Sequence, residues 1–124
     1  MSTLKADTIQ NTSGGAVTLT KQSAAKAWVN FNGTGTVAIR SSSGVTSISD
    51  NGTGEYTVNF TNSFSAAEYS ATLLSSSGNG VRYSFASTVD AGFVSGSHRH
   101  INYGDNGGLY DQVYVTGTFH GDLA

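Results

Sequence analysis

"VTSISDNGTGEYTVNF", residues 45–60, decides the fold class. Val45, Ser47 and Ser49 fall on one face of an extended chain, with Thr46, Ile48 and Asp50 on the other. Beyond the turn residues, Tyr56, Val58 and Phe60 recur at the same spacing of two. Asn51-Gly52 is a strong hairpin signal, because both residue types tolerate positive φ. The extra Thr53-Gly54 points to a connection longer than two residues. The same four letters, "NGTG", stand at 32–35 between "AWVNF" and "TVAIR", giving a second hairpin of similar form.

Outward from this hairpin, apolar residues recur at spacing two in short runs bounded by Gly, Ser, Asn and Asp. Strands are expected at 24–31, 36–42, 45–50, 55–60, 68–74, 81–88, 92–103 and 111–119. Eight strands with near-regular turns read as an all-β chain, a small antiparallel β-sandwich. The sole helix candidate is a single turn at 63–69, "SFSAAEY", capped by Ser65. Ahead of the body, "TLKADTI" (3–9) and "AVTLT" (16–20) read as two short strands around a Gly14-Gly15 turn. We therefore expect an N-terminal β neck over 1–22 and a sandwich body over 23–124.

Leu, Ile, Val and Phe make up only about a fifth of the 124 residues, yet a net charge of −2 is not that of a disordered polyampholyte. Such a thin core predicts added burial between subunits. Cysteine is absent, which excludes disulfides and thiolate metal sites. Six scattered basic residues do not form a phosphate-binding surface, so no nucleic-acid partner is expected. No run reaches the length of a membrane-spanning helix, and the polar start lacks the apolar core of a signal peptide; the expectation is synthesis in the cytoplasm without membrane insertion.

Chemical motifs are weak. "GTGTVA" (33–38) matches a dinucleotide fingerprint in letters, but a β-branched, serine-rich run follows where a helix is required. "DNGGLYD" (105–111) places Gly107 and Leu109 where a calcium loop needs oxygen ligands. The carboxylates lie beside predicted turns, where they serve turn chemistry, so no acid–base pair is indicated and no enzyme is expected.

Aromatic residues, Trp28 and Tyr56 among them, serve either as core or as stacking platforms for sugars. Tyr103 and Tyr110 flank "GDNGG" and, with Asn102, Asp105 and Asn106, offer aromatic faces beside amides and a carboxylate. Together with Asn79 of the loop "SSSGNG" (75–80), these residues are the expected receptor- or partner-binding set. His98 and His100 share one face of a strand and are expected partly exposed or at a subunit contact. Two imidazoles are too few for a metal site in one chain, and His120 could be a third ligand only if the last strand pairs beside them. Three chains around a threefold axis would present six, and only then is an axial transition-metal ion expected; otherwise no cofactor is.

The stretches "LKADTIQNTSGGAVTLTKQSAAKAWVNFNGTGTVAIRSS" and "SISDNGTGEYTVNFT" resemble the C-terminal regions of tail-fibre and other virion structural proteins of marine bacteriophages, cyanophages especially. The resemblance covers about residues 4–61. It implies a homotrimer, a β-rich neck beginning at the segment like "KADTIQN" and a sandwich tip opening at the segment like "AKAWVNFNGTGT". His98-Arg99-His100 is also similar to the histidine-x-histidine strands that hold axial iron in the long-fibre tips of T-even phages. The expected function is a virion tail-fibre or tail-tip component, contacting other virion proteins and a host-surface glycan or protein. The alternative is a purely structural virion protein, a capsid decoration or filament subunit, without receptor binding.

Overall fold

A computed structural model describes residues 6–15, 25–76, 85–104 and 107–124, with only the backbone of 85–90. The chain is a two-layer β-sandwich, and no helix occurs among the described residues. Its strands are β1 (Ala27–Asn32), β2 (Ala38–Ser43), β3 (Val45–Gly52), β4 (Glu55–Phe60), β5 (Ser70–Ser76), β6 (Phe85–Val94), β7 (Ser97–Tyr103) and β8 (Tyr114–His120). One antiparallel sheet has the order β2-β1-β8-β5 and the other β3-β4-β7-β6.

Alternation places the core. Ala27, Val29 and Phe31 of β1, Tyr56, Val58 and Phe60 of β4, and Val115 and Phe119 of β8 point inward and are buried. Edge-on ring contacts join the layers, Phe31 to Tyr56 at 5.1 Å between centroids and Phe60 to Phe119 at 4.9 Å. Such pairs add to the area they remove from water.

Several expectations are corrected. The 45–60 hairpin closes tightly: β3 runs through Gly52, which pairs with Glu55, so Thr53-Gly54 is a two-residue turn. The predicted strand at 92–103 is two strands, because Ser95-Gly96 turns the chain and Val94 pairs with Ser97. β6 instead runs through positions read as a turn, with a register shift between Thr88 and Phe93 and Ala91 at φ 56°. Residues 63–69 form no helical turn. Phe64 bridges Leu123, and the Phe64 and Tyr69 rings stack at 4.6 Å, so burial of these aromatics overrides the capping signal. Residues 6–9, the described part of the first neck segment, pair with no strand among the described residues. The neck's described turn is held by Asn11, whose Oδ1 accepts from Ser13 N and Gly15 N, both at 2.9 Å. The second neck segment lies outside the described residues.

Candidate functional site

The inner face of β7 is polar throughout: His98, His100 and Asn102 are each fully buried between the layers. This corrects two expectations. Asn102 is not a surface recognition residue, and the histidines are neither exposed nor presented toward a subunit contact. The reason is register: Val58 pairs with His98 and Tyr56 with His100, so the histidines share the inward face of two core residues.

The two imidazoles stack at 6.0 Å, and the His98 ring lies 5.3 Å from that of Phe119. The Tyr69 hydroxyl donates to Ser97 O at 2.9 Å and lies 3.2 Å from His98 Nδ1. A hydroxyl has one proton, so Nδ1 is the donor to Tyr69, which fixes the His98 tautomer. His100 has no hydrogen-bond partner on either ring nitrogen, and the Asn102 amide has none on either atom, among the described residues. Burial lowers the His98 pKa to about 4 and, with His98 beside it, that of His100 to about 3. Both rings are therefore neutral at pH 7. His120 belongs to the other sheet, and no cluster of three His, Cys, Asp or Glu able to hold a metal occurs among the described residues.

At one end of the sandwich the two "NGTG" turns are tied together. The Tyr56 hydroxyl sits 2.7 Å from Gly33 O and 2.8 Å from Asp111 Oδ1, which also accepts from Gly54 N at 2.7 Å. Burial, then the Asp111 carboxylate, pushes the Tyr56 pKa up. Tyr103 and Tyr110 stand here, half-buried. The Tyr110 ring covers Gly104, leaving no room for a Cβ, and Gly104 N donates to Gly108 O at 2.9 Å. Asn79, Asp105 and Asn106 lie outside the described residues. Of the expected binding set, the structure thus brings together Tyr103 and Tyr110, on a loop pinned to its own backbone.

The surface that sequence reasoning missed is the outer face of the β2-β1-β8-β5 sheet. Trp28, Leu74 and Tyr114 are exposed there, Leu74 at 65%. Trp28 pairs with Thr118 and Thr118 with Thr72; Asn30 pairs with Thr116 and Thr116 with Leu74. These two rows cross three strands and line a groove of about 440 Å³. The signal was available: in "AWVNF" Trp28 is out of phase with Ala27, Val29 and Phe31, so period two alone turns it outward. Comparisons with family models, curated proteins and solved structures find no match to this chain.

Proposed function

We propose that this chain is a non-catalytic adhesion component of a phage tail, in a fibre or tip, that meets the host surface through the outer face of its β2-β1-β8-β5 sheet. The observation that carries the reading is that face: a tryptophan, a leucine and a tyrosine stand exposed on rigid strands, where the sandwich core has no use for them. The resemblance of residues 4–61 to tail-fibre proteins supplies the virion context and the homotrimer. Three copies per fibre and several fibres per virion turn weak contacts into firm attachment through avidity. Binding on strands also suits a receptor protein, because strands hold side chains more firmly than loops do.

Two measurements on virions carrying this chain test the reading. Immunogold labelling is expected at the tail, and the isolated labelled protein is expected to bind susceptible cells saturably. Label on the capsid, with no cell binding at avid concentrations, favours the purely structural alternative.

A further inference from the structure

Among the exposed aromatic residues, Trp28 is distinguished by what it does not touch. The Tyr114 ring is covered by the Arg40 guanidinium, 4.4 Å from its centroid, and Arg40 is itself held by Phe31 O and Val113 O. The Phe93 ring packs on Tyr69 and His98 at 5.0 and 4.8 Å. Trp28 has neither a ring nor a cation against it among the described residues, and its indole forms one wall of the groove. Leu74 and Thr72 of β5 form the opposite wall, two strand spacings away, about 10 Å. The floor is β8, with the Thr116 and Thr118 side chains, and Asn30 lies beside Trp28.

We propose that this groove binds one or more residues of a neutral saccharide, with a sugar ring stacked on Trp28 and its hydroxyls met by Thr72, Thr116 and Thr118. The proposal deepens the adhesion reading and rests on it. A pyranose has an apolar C–H face and a hydroxylated rim, which match an indole wall beside threonine hydroxyls. No lining residue carries a charge, so the site offers no cation to a carboxylate or sulfate. A second copy of this chain fits less well. A protein face laid over the groove would take the hydroxyls of Thr72, Thr116 and Thr118 from water without supplying them partners. A sugar brings donors and acceptors to the same place.

Trp28 is the only tryptophan, so its fluorescence reports the groove directly. The full chain is titrated with neutral hexose oligosaccharides of α- and β-linked glucose, galactose and mannose, with purified envelope polysaccharide from the host, and with oligogalacturonate as the acidic control. At least one neutral probe is expected to shift Trp28 emission saturably, with a dissociation constant of about 1 mM or tighter. Thr116→Val, which keeps shape and removes the hydroxyl, is expected to weaken binding about tenfold, and Trp28→Ala to abolish it by calorimetry. The proposal is overturned if no neutral probe and no envelope polysaccharide binds, if oligogalacturonate binds as well as the neutral probes, or if both variants bind like wild type. It is equally overturned if emission instead changes with protein concentration through self-association that Trp28→Ala removes. Cell binding retained by Trp28→Ala would sink the saccharide groove and leave adhesion standing; absence of cell binding by wild type would sink adhesion itself.

Discussion

The rings of His98 and His100 stack 6.0 Å apart inside the sandwich, where the alternation of β7 calls for apolar side chains. A core strand whose inward face reads His, His, Asn makes folding depend on pH. The ordinary histidine pKa of 6.5 falls to about 4 for His98 and about 3 for His100 on burial. Above pH 6.5 both are neutral, folded or unfolded, and their contribution to stability is fully present. As pH drops below 6.5 the unfolded chain takes up protons that the folded chain refuses, until the folded pKa values are passed. Each histidine then removes roughly 1.4 kcal/mol per pH unit. Urea unfolding midpoints are expected to fall steeply from about pH 6.5 to about pH 4. A midpoint independent of pH over that range would show that these rings are not buried neutral.

His100→Leu separates charge from packing. Its ring nitrogens have no partner among the described residues, so an apolar replacement of similar size removes an unmet polar demand. At pH 7 the variant is expected to match or exceed wild-type stability, and its acid slope to be about half as steep. Phe119→Ala, at the ring cluster between the layers, is expected to lose about 3–5 kcal/mol in the same assay. Destabilisation of His100→Leu on that scale would indicate a hydrogen-bonding role for the ring.

Asp111 meets Gly54 N of one "NGTG" turn and the Tyr56 hydroxyl, which in turn reaches Gly33 O of the other. Tyr56→Phe and Asp111→Ala are each expected to cost about 1–3 kcal/mol, because a buried group loses its partner. They share one contact, so the double variant should cost less than the two separate losses together. Strict additivity in chemical denaturation would argue that the contact contributes nothing.

Glycine tolerance at the turns follows from space. At Gly54, with φ +68°, a Cβ would lie 2.7 Å from Tyr110 N and 2.8 Å from Asn102 O, both backbone atoms that cannot retreat. At Gly35, with φ +62°, a Cβ meets nothing within 4 Å. Gly35→Ala is expected to cost about 1 kcal/mol from backbone strain alone, and Gly54→Ala more than ~2 kcal/mol. Equal thermal midpoints for the two variants would contradict the close packing of the Tyr110 segment on this turn.

Spacing of two made most of the sandwich legible, since Tyr56, Val58 and Phe60 must share a face whatever surrounds them. It failed where local signals competed. Ser95-Gly96 is an ordinary turn pair, but a hydrophobic run on one side and "SHRHINY" on the other read as one long strand. The burial of His98, His100 and Asn102 was illegible because polarity predicts exposure, and only the register with β4 turns them inward. Trp28 was legible by phase, but its size argued for the core.

Cell binding by the labelled protein, wild type beside Trp28→Ala, tests the adhesive face most directly. Wild type should bind host cells saturably, and Trp28→Ala, eluting at the wild-type position with an unchanged far-ultraviolet dichroism spectrum, should bind at least about tenfold more weakly. Equal binding by the two proteins would place adhesion elsewhere than on the outer face of the β2-β1-β8-β5 sheet.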